Sequence, residues 1–363
     1  MLAGIEGIGL ITPWGNHPHR FLENYLARKT AIGKIRRFPT EQIIAQETAQ
    51  IEGFEPKEFI APKRIRKYDI FSQLSIAVTH LALRESGREI AQEELNQMGM
   101  VFSCETQSAV IAEYLDDLVR SGPNGVSPAL FTLTSANASS CNAAIENGIQ
   151  GPSVTVSSKF ASGFLSAFTG IQMLQSAVDL CIAGSVDYLS QKVLEAYSLL
   201  GCHRQRRDSV APGFLPGEGA VALLLTRGPG RYGKIIGAGY LTSPAKNLHW
   251  PTGWKTHLAV LKTATGEETV HRYFAASNGI PHLDELEIRA TEALFGNHLP
   301  EGVNLKDLLG ESSTLPLLQI TAACCEPAGT RSLISVASPG GVHGALLIES
   351  SGLIHDREGR DDT

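Results

Sequence analysis

The sequence predicts an α/β fold whose sheets are buried on both faces. Short apolar runs of strand length alternate along the chain with longer stretches that carry a helical pattern. Two of these runs, at 180–184 and 220–225, are apolar or small throughout and lack the alternating polar residues of a half-exposed strand. The length of 363 residues, with 43% hydrophobic and 19% charged residues, allows one large or two medium domains of ordinary globular composition.

The first third of the chain contains a strand, a helix and a second strand. The segment 2–12 alternates apolar and small residues until Pro13, which is typical of a buried strand that ends in a loop. The segment 71–86 places apolar residues at helical spacing, and Gly87 follows where a helix C-cap would lie. A second strand is predicted at 99–103.

The middle of the chain continues this alternation. A helix at 107–119 precedes a short β-branched strand at 154–157, which leads into a helical run at 161–176. The apolar strands at 180–184 and 220–225 follow. This order of elements is typical of α/β folds.

Turn-forming residues at 227–231 separate two parts of the sequence. A strand that resembles the first one begins soon afterwards, at 234–240, and we therefore predict one half at 1–228 and another at 229–354. Glycines recur in both of these strands, which hints that the halves are related. The segment 355–363 is predicted to be a disordered tail.

The charge balance and the cysteines exclude several classes of protein. With 31 Lys and Arg against 37 Asp and Glu, the net charge of −6 shows no basic footprint for nucleic acid or for an anionic membrane. The six cysteines form no metal-ligand spacing and favour a reduced cytoplasm, and buried inert thiols are the expected state of Cys141, Cys324 and Cys325. We expect no metal, no cofactor and no membrane span.

Four stretches together resemble the β-ketoacyl synthases, the condensing enzymes of fatty-acid and polyketide assembly. They are an N-terminal strand and loop at 7–15, a Thr-Val-Ser strand at 151–157, a Gly-Glu-Gly turn at 213–220 and a glycine loop at 338–341. The resemblance implies the thiolase-like fold, a five-layered αβαβα structure built from two related halves.

The same resemblance shows that the catalytic positions have changed. Phe160 lies where the family carries its nucleophilic cysteine, at the start of the helix after the Thr-Val-Ser strand. By the same resemblance, Ala276, or Ser277 if the alignment slips by one residue, and Glu311 lie where two histidines of the family polarise the malonyl carbonyl, although Lys306 is retained. Glu311 is a surface carboxylate instead if the alignment of the last third is wrong by a few residues. A carboxylate at 311 is expected to repel malonate. Pro339 replaces the phenylalanine of the family's glycine-rich gate.

These losses predict a non-catalytic subunit that resembles chain-length factors, with a catalytic ketosynthase and an acyl carrier protein as partners. Phe160, where aromatic-polyketide factors usually carry glutamine, favours an aryl-polyene or related polyene pathway. One alternative is a stand-alone scaffold that binds acyl groups or carrier protein. Another is a remodelled acyltransferase or hydrolase that uses Ser158 or Ser162.

Two sets of residues are candidates for binding. The predicted lining of the acyl tunnel consists of Ala109, Ala112, Glu113, Asp116, Phe160 and Pro339. The predicted docking surface for a carrier protein consists of Lys63, Arg64, Arg66 and Lys67. Ordinary helix packing at 109–116, a core role for Phe160 and a solvated basic surface remain open as alternatives.

Overall fold

The computed structural model describes residues 1–209, 211–246, 248–296 and 298–355. Apart from His355, the tail predicted at 355–363 lies outside the described residues. None of the helices in these ranges is both long and apolar enough to cross a bilayer.

The strands lie in the following order. They are β1 (Ala3–Ile11), β2 (Ile32–Lys34), β3 (Glu47–Ala49), β4 (Gly99–Ser103), β5 (Ser153–Thr155), β6 (Leu180–Asp187), β7 (Gly219–Thr226), β8 (Gly233–Thr242), β9 (Arg272–Phe274), β10 (Glu301–Val303), β11 (Arg331–Ser338) and β12 (Val342–Ser350). The helices are α1 (Pro18–Leu26), α2 (Pro62–Ile65), α3 (Ile70–Glu85), α4 (Gln92–Gln97), α5 (Ser108–Ser121), α6 (Pro128–Leu133), α7 (Ala138–Asn147), α8 (Ser162–Ser176), α9 (Gln191–Leu199), α10 (Trp254–Thr265), α11 (Pro281–Phe295), α12 (Lys306–Leu309) and α13 (Leu315–Cys324).

Ten of these strands form one continuous sheet that consists of two equivalent halves. Its order is β10-β9-β11-β12-β8-β1-β7-β6-β4-β5, while β2 and β3 form a separate hairpin. Numbered within its own half, each set of five strands has the order 3-2-4-5-1 with the same parallel and antiparallel pairings. The halves are therefore related in topology.

The packing of helices on this sheet produces five layers. Helices α8 and α13 lie between the two halves, where α8 packs on β4 and β6 and α13 packs on β11 and β12. Helices α3 and α7 cover the outer face of the first half, and α10 and α11 cover that of the second. Every residue of α13 is buried, as expected for a helix that is apolar all round.

The glycines of the two related strands have the same physical role. A Cβ atom on Gly9 of β1 would lie 1.9 Å from the carbonyl oxygen of Val78 in α3. A Cβ atom on Gly237 of β8 would lie 1.8 Å from the carbonyl oxygen of Ala264 in α10. In each half an outer helix therefore touches the backbone of the strand, and a side chain at either position would push it away.

Most of the predicted elements occur within two residues of their expected bounds. The strand expected at 154–157 is instead three residues long and ends at Thr155, and the helical run at 161–176 opens with a 3₁₀ turn at Lys159–Ala161. Nothing in the sequence had predicted the β2–β3 hairpin.

A buried carboxylate connects this hairpin to the first half of the sheet. Glu218, whose side chain is fully buried, accepts hydrogen bonds from both terminal nitrogens of Arg37 at 2.6 and 2.9 Å. It also accepts the backbone N–H groups of Ile51 and Leu189 at 2.7 and 2.8 Å. The Gly-Glu-Gly turn therefore ties three segments of the chain together.

Glu218→Gln is expected to lower the free energy of unfolding by about 3 kcal/mol or more, because it leaves the Arg37 guanidinium without its counter-charge. Urea denaturation followed by circular dichroism measures this loss. The exposed pair of Lys57 and Glu55 provides the control, since Glu55→Gln should change the free energy by less than about 1 kcal/mol. A similar small effect for both variants would contradict the structural role of Glu218.

Candidate functional site

The candidate site lies where the carboxyl ends of parallel strands from both halves meet. Phe160 follows β5, Ala276 follows β9, Lys306 follows β10 and Pro339 follows β11. Strands β4, β5 and β6 run parallel to one another, as do β9, β10 and β11, so their carboxyl ends lie on the same edge of each half. The residues selected from the sequence thus belong to one region of the molecule.

Phe160 lies in the tight turn immediately before α8. The preceding residue, Lys159, has a φ angle of +52°, which is uncommon for a residue with a side chain. The turn continues into the 15-residue helix α8, so position 160 lies beside a long helix N-terminus. A thiol at this place would be close to the positive end of the helix dipole, but a phenyl ring gains nothing from it.

The ring of Phe160 fills its surroundings instead of leaving a pocket. It stacks on Trp250 with ring centroids 5.3 Å apart, meets Phe214 edge-on at 5.2 Å and stacks on Tyr197 at 6.0 Å. The cavity that remains beside it measures about 10 Å³, which is near the smallest volume that can hold one water molecule. Phe160 is therefore a packed aromatic residue, and its place at the family's nucleophile position stays a prediction.

Ala276, Lys306 and Glu311 line the same small cavity. Lys306 Nζ lies 3.1 Å from Glu311 Oε2, and Asn278 donates a hydrogen bond to that oxygen at 3.0 Å. Lys306 also donates to the carbonyl oxygen of Ala276. Glu311 is buried, so it is not a surface carboxylate.

This ion pair gives Glu311 a counter-charge, and the repulsion of malonate expected of its carboxylate stays a prediction. The Lys306 ammonium compensates its charge, and the remaining hydrogen bonds satisfy both side chains. The pair offers no neutral N–H donor of the histidine type, because Glu311 only accepts and Lys306 already donates to two partners.

Pro339 is buried in the turn between β11 and β12. Proline carries no backbone N–H, so position 339 cannot donate a hydrogen bond to an oxyanion. The neighbouring Ser338 donates to the carbonyl oxygen of Ser158 at 2.9 Å, which attaches this turn to the one that carries Phe160.

The two serines of the hydrolase alternative do not form a catalytic arrangement. Ser162 is fully buried, and its hydroxyl accepts the Ser158 N–H at 2.7 Å and donates to the carboxylate of Glu105. None of the described hydrogen bonds of either serine goes to a histidine. Burial raises the pKa of the Cys324 thiol to about 12 and raises that of Cys325 as well, in keeping with the inert thiols expected there.

Glu105 is a residue of this site that the sequence analysis missed. It follows β4 and accepts the backbone N–H of Ser158 at 2.8 Å in addition to the Ser162 hydroxyl. The available signal was its position, since an acidic residue two places after a predicted strand lies at the edge where the other site residues were expected.

A groove of about 250 Å³ lies between α5 and α9, beside this region. Ala109 and Ala112 of the predicted tunnel set line it, opposite Val193 and Ala196. Its lining also includes Lys192, which forms an ion pair with Asp116.

The other members of the predicted tunnel set lie outside the lining of this groove. Glu113 is exposed. Phe160 belongs to the aromatic cluster that it forms with Trp250, Phe214 and Tyr197. Pro339 lies in the β11–β12 turn. The structure thus places only part of the set along one groove.

The predicted docking residues lie on α2 and the two positions after it. Lys63, Arg66 and Lys67 are exposed, whereas Arg64 forms an ion pair with Glu146 and donates to Tyr68 at 3.2 Å. Three exposed cations rather than four are therefore available on this surface.

The sequence and the fold were compared with known proteins. Residues 4–229, more than half of the chain, match the family profile for the N-terminal domain of β-ketoacyl synthases. This chain belongs to the β-ketoacyl synthase family. It is 25% identical to 3-oxoacyl-[acyl-carrier-protein] synthase 2 of Coxiella burnetii over 320 residues, which cover 81% of this chain and 77% of that protein.

Solved structures show the same fold at lower identity. The ishigamide ketosynthase/chain length factor matches with a TM-score of 0.82 at 21% identity, over 96% of this β-ketoacyl synthase homologue and 98% of that chain. A second match is the AntDE:AntF complex, a type II polyketide synthase acyl-carrier protein with its ketosynthase bound to the hexaketide. It has a TM-score of 0.83 at 14% identity and covers 96% of this chain and 99% of that chain. These matches confirm the thiolase-like fold.

A buried histidine beside the aromatic cluster makes the stability of this family member depend on pH. His203 contacts Tyr197 and Phe214, neither of its ring nitrogens has a partner in the described part of the chain, and burial lowers its pKa to about 4. As the pH falls below 6.5, His203 of the unfolded chain binds a proton before His203 of the folded chain does. The contribution of neutral His203 to the free energy of unfolding is therefore fully present above pH 6.5 and is lost between pH 6.5 and 4.

His203→Phe is expected to raise the free energy of unfolding by about 2 kcal/mol more at pH 5 than at pH 7.5, because it removes this proton uptake. Denaturant titrations at the two pH values measure the difference. His257→Phe is the contrast, since it breaks the 2.8 Å hydrogen bond to Ser335 and should destabilise the protein already at pH 7.5. An equal change for His203→Phe at both pH values would contradict this assignment.

Proposed function

We propose that this chain is the non-catalytic subunit of a heterodimeric β-ketoacyl synthase and acts as a chain-length factor in polyketide or fatty-acid-type elongation. The observation that carries the proposal is the ring of Phe160, half-buried and packed against Trp250, Phe214 and Tyr197, at the position that the family resemblance assigns to the nucleophile. A polyene-type product is the finer assignment that we favour.

The chemistry of condensation supports this proposal. The reaction needs a nucleophile that carries the acyl group and donors that stabilise the charge developed during decarboxylation. The site presents a phenyl ring, the methyl group of Ala276 and the mutually paired Lys306 and Glu311. None of these groups can attack a thioester, and the ammonium of Lys306 is already paired with Glu311.

The surface around β5 supports a stable partner. Strand β5 is an edge strand, its outer side pairs with no other described strand, and Val154 is 38% exposed. Further large apolar side chains are exposed on the neighbouring helices α5, α6 and α7; they are Ile111, Leu115, Val119, Phe131 and Ile145. Native proteins cover such edges and patches, and a permanent interface buries on the order of 2,000 Å² or more. A stand-alone scaffold would leave this surface in water.

The groove between α5 and α9 supports a role in shaping the product. Ala109 and Ala112 face it with small side chains, and the apolar Val193 and Ala196 lie opposite. Because the groove borders the exposed apolar surface of α5, a partner seated there would convert it into the wall of a tunnel. Carrier protein is proposed to approach the basic surface formed by Lys63, Arg66 and Lys67.

Reconstitution with a co-expressed ketosynthase tests the proposed function. We expect a 1:1 complex in size-exclusion chromatography, and no condensation by this chain alone with acyl- and malonyl-loaded carrier protein. Phe160→Cys should not condense either, because Ala276 and Glu311 still replace both histidines. A well-behaved monomer at micromolar concentration, or β-ketoacyl product above the enzyme-free rate from either form alone, would overturn the proposal.

Ala112→Trp tests the role of the groove. If the groove holds the growing chain, the complex should make shorter products while early elongation continues, because the indole occupies space that the chain needs. Mass spectrometry of the products measures the distribution of chain lengths. The control is Ala259→Trp on the exposed face of α10, which should leave that distribution unchanged. An unchanged distribution from a soluble Ala112→Trp complex would remove this groove from the mechanism.

A further inference from the structure

The carboxylate of Glu105 forms hydrogen bonds to the turn that carries Phe160, on both sides of that residue. It accepts the N–H of Ser158, two residues before Phe160, at 2.8 Å, and it accepts the hydroxyl of Ser162, two residues after Phe160. Ser158 N–H also donates to the Ser162 hydroxyl at 2.7 Å. The three groups form a closed hydrogen-bonded unit at the start of α8.

A helix N-terminus is a place where proteins stabilise anions, because free N–H groups and the helix dipole both favour negative charge. In this chain the carboxylate of Glu105 lies at this helix start, hydrogen-bonded to the hydroxyl of Ser162, the first residue of α8. We propose that Glu105 is a built-in counter-anion that makes the start of α8 unfavourable for a thiolate or an oxyanion. The inference rests on the proposed function and adds a further inactivating residue to Phe160, Ala276 and Glu311.

The charges around position 160 agree with this proposal. Tyr197 of α9 stacks on Phe160, and Lys306 and Glu311 of the second half line the small cavity beside it. His203 contacts Tyr197, Lys159 is adjacent to Phe160 in the chain, and the carboxylates of Asp187 and Glu105 lie near enough to Tyr197 to act on it through their charges. Burial raises the pKa of Tyr197, which stacks on Phe160, and the carboxylates of Asp187 and Glu105 raise it further. The region therefore disfavours a second anion, despite the helix dipole.

The test measures the acidity of a thiol placed in the turn. Phe160→Cys and the double variant Phe160→Cys/Glu105→Gln are alkylated with iodoacetamide between pH 6 and 10, and the modified peptide is quantified by mass spectrometry so that the native cysteines do not interfere. In the double variant we expect the thiol pKa to fall by about one unit, and the alkylation rate at pH 7 to rise about tenfold.

The matched control is Phe160→Cys/Glu113→Gln. Glu113 is an exposed acidic residue on α5, so this change removes the same charge without touching the turn. It should leave the thiol pKa at the value of the single variant. An equal shift for Glu113→Gln, or no shift for Glu105→Gln, would overturn the inference.

A second measurement does not depend on the introduced thiol. Glu105→Ala leaves the hydroxyl of Ser162 without its acceptor and leaves the N–H of Ser158 bonded to that hydroxyl alone, and added formate can occupy the vacated place. We expect millimolar formate to raise the melting temperature of Glu105→Ala but not of the wild type, with chloride at equal ionic strength as the reference. Equal responses of the two proteins would count against a specific anion position.

These outcomes are separate from those of the proposed function. Condensation by Phe160→Cys alone would refute the assignment of a non-catalytic subunit. Equal thiol pKa values in the presence and absence of Glu105 would refute only the role given to Glu105. The two measurements use different readouts and cannot be mistaken for each other.

Discussion

The burial of helix α8 between the two halves is the constraint on which the rest of the site depends. Gly163, in its first turn, donates its N–H to the carbonyl oxygen of Ser313 at 2.9 Å, and a Cβ atom there would lie 2.6 Å from that oxygen. Because the start of α8 touches the backbone just before α13 so closely, it cannot shift without moving the second half as well. The turn with Phe160 is thereby held where strands of both halves end.

The side chains of the candidate site are satisfied by their neighbours. The ring of Phe160 is packed against other rings, and Glu311 is paired with Lys306 and bonded to Asn278. Ser162 is bonded to Glu105. Buried polar groups cost the most when they lack partners, so these contacts stabilise the scaffold around this site.

The two halves share one topology, but their outer edge strands carry different side chains. The outer strand of the second half, β10, carries Glu301, which pairs with Arg28 and Arg272 and gives this edge a charged character. The outer strand of the first half, β5, exposes Val154 beside an apolar helix surface. Charged edges resist pairing with another sheet, and apolar edges favour it. The difference indicates which side of the molecule is suited to a partner.

The sequence by itself determined the α/β class, the positions of six of the twelve described strands and the family resemblance from which the roles of Phe160, Ala276 and Glu311 are predicted. These depend on residues that are close in sequence, because apolar runs, turn residues and motif spacing are patterns of neighbouring residues. The order of the strands in the sheet, the pairing of Lys306 with Glu311 and the part played by Glu105 were decided only by the tertiary structure. The contacts responsible join residues that are distant in sequence, such as Glu105 and Ser162, and no periodicity within either segment encodes them. The apolar pattern can place a strand or a helix, but which side chains meet at its end depends on how both halves pack around α8.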